Sequence, residues 1–378
     1  MHKSGGWVLI RTVLIKTIIL FVFLNLLFAL VYPLDFLGSI SAYNLIFPGR
    51  LRFPHSDVPE RAFNITTSNL EAMFQSHEIS REKDDEFRIA VIGDSSVWGF
   101  LLEPRETFTA SLNKMELQTR EGIDVRFYNL GYPTLSVTKD LLLLDRAMEH
   151  QPDMILWFVT LESLVEKTQL ESPILQLNPA AVGTLFGMYG LSLQADHDEF
   201  ETHSFFDMTI VGSRVELSEL IRLQLYGFAW AATGVDHYIP ESYNQRSEDL
   251  SAELEYKGFQ PGELESGELY FEALNVGIDA AESLPVVLIN EPIFVSSGKN
   301  SDIRYNFFYP RWAYDQYRSM ISEQVSRNEW DYVDLWDLVP ASEFTDSAIH
   351  YSVYGNKLVA DRIADLLQTQ FDFSTQAR

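Results

Sequence analysis

Cysteine is absent from the 378-residue chain. Disulfides, thiolate metal sites and a cysteine nucleophile are therefore excluded. Basic residues are scarce: 28 Lys and Arg stand against 54 Asp and Glu, a net charge of −26. Such a surface repels nucleic-acid backbones and anionic headgroups, so no nucleic-acid partner is expected. There is no His-Glu-x-x-His, no acidic Ca²⁺ loop with its glycine, no phosphate loop and no Gly-x-Gly-x-x-Gly after a strand. No metal and no cofactor is expected. Internal repeats and low-complexity tracts are lacking as well. What remains is an ordinary globular balance, 46% hydrophobic and 22% charged, enough for one large domain with insertions or two smaller ones.

One apolar run stands apart. Val13 to Tyr32 reads "VLIKTIILFVFLNLLFALVY", long enough to cross a bilayer as one helix. Lys16 sits near one end, where it can snorkel. Lys3, Arg11 and Lys16 place the basic flank before the span, so residues 1–12 should lie in the cytoplasm and the bulk outside it. A cleaved signal peptide is the rival reading, but Leu27 and Ala29 make a poor cleavage pair. A buried core helix is a third, disfavoured because so long a helix would carry a polar face. The expectation is an uncleaved single-pass anchor over 13–32. A sequon at Asn64-Ile65-Thr66 matters only in a glycosylating host.

Residues 33–86 read as a stalk, rich in proline and charge and ending in the charged stretch Ser80 to Glu86. From Phe87 strands and helices alternate. Strands are expected at Phe87–Ile92, Val125–Leu130, Met154–Val159, Pro285–Asn290 and around Tyr332. Helices are expected from Thr107, from Ser136 with the serine as cap, from Tyr309 and from Gly355. Such alternation predicts a mostly parallel sheet covered on both faces. The pattern lapses over 164–282, which reads as a mainly helical insertion, either a cap over a site or an extension without contact to substrate. The domain then comprises 87–163 and 283–378.

Ligands of an open α/β sheet bind at the carboxyl ends of its strands. The first strand ends in Gly93-Asp94-Ser95-Ser96 and the second in Asn129-Leu130-Gly131. After the last strand come Asp346 and His350, just before the closing helix. A hydroxyl nucleophile needs a base, the base an orienting group, and the oxyanion backbone donors. This topology can bring all of them to one edge.

The Gly-Asp-Ser turn, the glycine after the second strand and the late Asp/His pair resemble the SGNH (GDSL-type) hydrolase superfamily. The likeness spans roughly Phe87 to Leu164 and Leu284 to Leu367. It implies a three-layer, flavodoxin-like parallel sheet and cleavage or transfer of acyl esters. By that likeness Ser95 is the nucleophile, and its N–H one oxyanion donor. Gly131 supplies a second donor, Asp94 structures the turn, and His350 is the base. Membrane-tethered relatives that modify envelope polysaccharides imply an acetylated glycan as substrate class, and a partner protein in envelope acyl transfer. The chain departs from the pattern twice. The third block has no asparagine where the family carries an oxyanion donor, and Glu162 stands near that point. The acid lies four residues before the histidine instead of three, at Asp346, with Ser347 in the usual place.

Each residue also has a plainer reading. Ser95 can be a turn or cap serine, Gly131 a tight-turn glycine, His350 a structural histidine and Glu162 a solvated carboxylate at a helix start. Trp98 can stack on a sugar or lie in the core. Asn290, with Glu291, Asn300 and Arg304, can line a pocket or serve a loop. The rival class is a non-catalytic relative that binds glycan or scaffolds an envelope complex. Geometry separates the two: Ser95 Oγ within reach of His350, with an acceptor behind the ring, belongs to an enzyme.

Overall fold

A computed structural model describes residues 4–47, 49–55, 69–191, 193, 204–233, 239–281 and 284–375. The Asn64 sequon lies outside them. Among the described residues seven strands form one sheet: β1 (Glu86–Ile92), β2 (Leu117–Gln118), β3 (Asp124–Asn129), β4 (Met154–Val159), β5 (Val286–Asn290), β6 (Asp331–Asp334) and β7 (Ser374–Thr375). Their order is β6-β5-β4-β1-β3-β2-β7. β1 pairs in parallel with β3 and β4, β4 with β5, and β5 with β6. The two-residue strands β2 and β7 are antiparallel. The sheet is thus mostly parallel, as expected, but mixed: its β2–β7 edge is antiparallel, which a flavodoxin-like parallel sheet lacks. The antiparallel edge escaped the sequence because two-residue pairings carry no periodicity.

β4 and β5 are buried along their whole length, as apolar runs covered on both faces should be. One core cluster joins Ala90, Ile92, Trp157 and Leu288 to the helix Val137–Met148. The other joins Ile89, Val91, Leu156 and Ile289 to the closing helix Val353–Gln370. Alternate residues of each strand therefore serve opposite layers. Ser136 caps its helix by accepting from the Lys139 N–H, as the sequence suggested.

The apolar N-terminal helix runs from Ser4 to Val31, with a span of 26 residues from Gly6 long and apolar enough to cross a membrane. It starts well before Val13 because Trp7 to Ile10 continue the apolar run.

The stalk expectation gives way. Residues Phe53, Leu70, Met73, Phe74 and Ile79 belong to the main core. The Arg52 guanidinium lies 3.7 Å over the Trp98 ring and donates to the carbonyls of Trp98 and Gly99. Proline and charge disguised this segment, which buries Phe53, Leu70, Met73, Phe74 and Ile79 while Phe36, Ile40 and Ile46 stay exposed.

The insertion is also less helical than expected. Helices Pro179–Tyr189, Arg214–Thr233 and Phe271–Ala280 are present, but no helix or strand occurs among the described residues between Thr233 and Ser266. That stretch is an extended strap. Arg246 donates to the carbonyls of Phe344 and Ala341, and its N–H to that of Thr345. Trp312 Nε1 donates to Leu254 O at 2.6 Å, and Gln316 Nε2 to Leu264 O at 2.5 Å.

Candidate active site

The parallel register brings the carboxyl ends of β1, β3, β4 and β5 to one edge. Leaving β1, the chain turns at Asp94, whose φ of −101° and ψ of −148° are non-helical. Its carboxylate accepts the Ser96 N–H at 2.7 Å and so caps a single helical turn, Ser95–Trp98. Ser95 occupies its first position, where a backbone N–H has no acceptor within the helix. Gly99 closes the turn at φ +87°, a left-handed conformation in which a Cβ would meet Thr107 Cγ2 at 2.5 Å.

Ser95 Oγ lies 2.8 Å from His350 Nε2. His350 Nδ1 lies 2.8 Å from Asp346 Oδ1. The four-residue spacing works because this segment is a closed loop. Phe344 and Tyr351 bridge antiparallel, and the Thr345 N–H donates to His350 O at 2.9 Å. Asp346 and His350 face each other across it. Burial pushes the Asp346 carboxyl up, but hydrogen bonding and charge from His350, with a hydroxyl from Thr345, leave it below its usual value. An ionised Asp346 fixes the tautomer: Nδ1–H donates to the carboxylate, and Nε2 accepts from Ser95 Oγ–H.

Gly131 sits against the same turn. A Cβ there would meet Trp98 N at 2.5 Å and Val97 Cβ at 2.8 Å. Only glycine lets the two backbones approach so closely. Its N–H, expected to face an oxyanion, donates instead to Asn129 Oδ1 at 3.1 Å. Asn129 Nδ2 in turn donates to Val97 O at 2.7 Å.

Glu162 lies in the first turn of Leu161–Leu164, beyond β4, and pairs with Lys257 of the strap at 2.6 Å. Its charge is thereby balanced by an ammonium that the sequence could not place. Two expected pocket residues are structural. Trp98 is fully buried, and its Nε1 donates to Phe53 O at 2.9 Å. It is a core residue with no face open to a sugar. Asn290 is fully buried too, donating to Asp334 Oδ1 at 2.8 Å and accepting from Tyr317 OH at 3.0 Å. Asn300 and Arg304 hold backbone carbonyls of the strap.

Phe100 and Lys139, not singled out in the sequence, and Glu291, read there only as a pocket or loop residue, shape the site. Phe100 stacks on the His350 ring at a centroid distance of 4.5 Å and an interplanar angle of 23°. Lys139, wholly buried, donates to Gly93 O and Tyr132 O, both at 2.8 Å, and pairs with Asp140 at 2.7 Å. Glu291, directly after β5, accepts from Ser96 Oγ, and Tyr351 OH lies 3.4 Å from the same carboxyl oxygen.

Burial pushes Glu291 far above the usual carboxylate range, and the negative charge of Asp94 adds to this. The folded chain therefore keeps a proton that the unfolded chain loses above its ordinary value of 4.5. A raised folded pKa gives stability that is complete below the unfolded value and declines as pH rises toward the folded one. The slope approaches about 1.4 kcal/mol per pH unit where only the folded state is protonated. Urea midpoints taken across that window should fall with rising pH, and Glu291→Gln should flatten the fall. An unchanged slope in the variant would contradict this assignment.

No protein-family model and no curated protein matches the chain. Solved structures do. A catalytic mutant of an acetylxylan esterase from Geobacillus stearothermophilus is 11% identical, with 79% of this chain and 100% of that one covered and a TM-score of 0.39. The aryl esterase of M. smegmatis is 12% identical over 75% and 99%, at 0.33. A carbohydrate acetylesterase from Sinorhizobium meliloti is 10% identical over 74% and 100%, at 0.32. The likeness to each is distant.

Proposed function

We propose that the chain is a membrane-anchored serine acyl hydrolase or O-acyltransferase whose globular part lies outside the cytoplasm. The observation that carries this is the unbroken relay from Ser95 Oγ through His350 to Asp346 at 2.8 Å per link. A binding relative with a decayed site has no need of it. Ser95 Oγ attacks an ester carbonyl carbon while His350 Nε2 takes its proton. The tetrahedral oxyanion meets the Ser95 N–H. The Gly131 N–H reaches it only by sharing its hydrogen with Asn129 Oδ1. As the C–O bond breaks, His350 returns the proton to the leaving alcohol. Water or a sugar hydroxyl then gives its proton to His350 and its oxygen to the acyl carbon, and as the acyl C–Oγ bond breaks His350 returns that proton to Ser95 Oγ. Asp346 holds the ring in the needed tautomer throughout. The topology rests on Lys3, Arg11 and Lys16, which gather the basic charge at the N-terminal end of the apolar helix.

The test uses the full chain in lipid with p-nitrophenyl acetate, with and without a soluble oligosaccharide. Free acetate together with p-nitrophenol supports hydrolysis. Acetyl groups on the oligosaccharide support transfer to a glycan acceptor. Release no faster than that of Ser95→Ala overturns both and leaves a binding role.

A further inference from the structure

Part of the insertion lies against the anchor and not on the catalytic edge. In helix Arg214–Thr233, Leu220 and Leu223 join Leu34, Tyr43 and Ala72 in one buried cluster, against which Phe28, Tyr32 and Leu37 also pack. Gln224 Oε1 accepts the Ala42 N–H at 3.0 Å, and its Nε2 donates to Ile40 O at 2.6 Å. Just before the helix, the Val211 N–H donates to Asn25 Oδ1 at 3.2 Å. Asn25 lies inside the apolar span, six residues before its end at Val31. At 1.5 Å per residue that is about 9 Å along the helix axis. Val211, near the end of the segment 204–213, is therefore held beside the last turns of the anchor, at a depth where a spanning helix is in lipid.

Apolar side chains are exposed on this part of the molecule. Phe205 and Phe206 are exposed in that segment, Phe206 by 60%. Ile221, Leu225 and Phe228 are exposed on the helix, Leu225 by 66%. Their i, i+4, i+7 spacing makes a stripe distinct from the buried Leu220 and Leu223. Phe36, Ile40 and Ile46 are exposed in the connection from the anchor. Clustered exposure of this kind marks a contact surface, whereas single exposed residues do not.

We propose that this face is a foot seated in the outer interface of the same bilayer that the N-terminal helix crosses. The occupant follows from continuity: the Asn25 contact fixes Val211, five residues after Phe206, against the span itself. With a net charge of −26 the chain gains nothing from anionic headgroups, so the attachment is apolar and tolerant of salt. The inference rests on the anchor reading given above.

The absence of cysteine makes the test clean. Phe206→Cys, Leu225→Cys and Tyr354→Cys are made singly in the full chain. Each is labelled with an environment-sensitive fluorophore and reconstituted in phosphatidylcholine vesicles carrying a doxyl quencher near the headgroup. Tyr354 is exposed in the closing helix, just after His350, and serves as the reference. Labels at 206 and 225 should lose most of their emission to the quencher and shift to the blue, unchanged by salt, while the label at 354 does neither. Protein that co-floats with vesicles but is no more quenched at 206 and 225 than at 354 overturns the foot and leaves the anchor standing. Disulfide cross-linking of the unlabelled Leu225→Cys chain, with no quenching of its labelled form, overturns it in favour of a contact between copies. Failure to co-float overturns anchor and foot together.

Discussion

Ser95→Ala should lower kcat on an activated acetate ester by roughly 10⁴-fold or more, with His350→Ala falling to about the same floor. The double variant should lose little beyond either single one, because nucleophile and base act as one unit. Their link is the 2.8 Å contact from Ser95 Oγ to His350 Nε2. Without the ring, the hydroxyl keeps its proton and is a weak nucleophile. Without the hydroxyl, the ring has no proton to take and no acyl-enzyme can form. Neither change should unfold the protein: Ser95 sits at a helix start held by Asp94, and the Asp346 loop is closed by backbone hydrogen bonds. Additive losses in the double variant would mean that the two groups do not share a step.

The largest expected effect on stability is at Lys139. Lys139→Met keeps the length of the stem and removes the ammonium. Gly93 O and Tyr132 O each lose a donor at 2.8 Å, and Asp140 loses its cation at 2.7 Å in a fully buried place. Burial already pushes the Asp140 carboxyl up against the opposing pull of Lys139. Breaking a buried pair from one side costs about 3–5 kcal/mol, a large part of the 5–15 kcal/mol that holds a domain folded. Adding Asp140→Asn should recover part of the loss, since no uncompensated charge is then buried and Trp157 Nε1, at 3.2 Å, keeps an acceptor. Denaturant midpoints measure both. A loss below about 1 kcal/mol for Lys139→Met would assign the pair no structural weight. Gly93 leads into the nucleophile turn and Tyr132 follows Gly131, so this ammonium ties together the two turns that shape the site.

Much of this was legible in the chain because it is local. The strand Met154–Val159 reads as buried because it is apolar throughout, and the cap at Ser136 follows from residue type. The order of Gly93-Asp94-Ser95, Gly131, Asp346 and His350 along alternating strands and helices predicts that they meet at one sheet edge. What failed to show was long-range. Lys139 and Asp140 read as an ordinary charged pair near a helix start, and nothing nearby says that both lie under the sheet. Arg52 lies in a proline-rich stretch, yet it holds the end of the nucleophile helix. Glu162 looks like an obstacle until Lys257, far along the chain, is placed 2.6 Å away. For Trp98 and Asn290 the sequence leaves pocket and structural roles both open for a related reason: it places a residue at a strand end, but not the direction of its side chain. Gly131 shows the same limit, since its N–H turns to a neighbour two residues back.

Covalent capture is the most direct test of Ser95 as an activated nucleophile. The full chain in lipid is treated with a fluorophosphonate, digested, and the modified peptide located by mass. A single adduct on Ser95, formed quickly by the native chain and lost in His350→Ala, is the predicted result. No adduct at Ser95, or one formed equally fast without His350, would contradict the account.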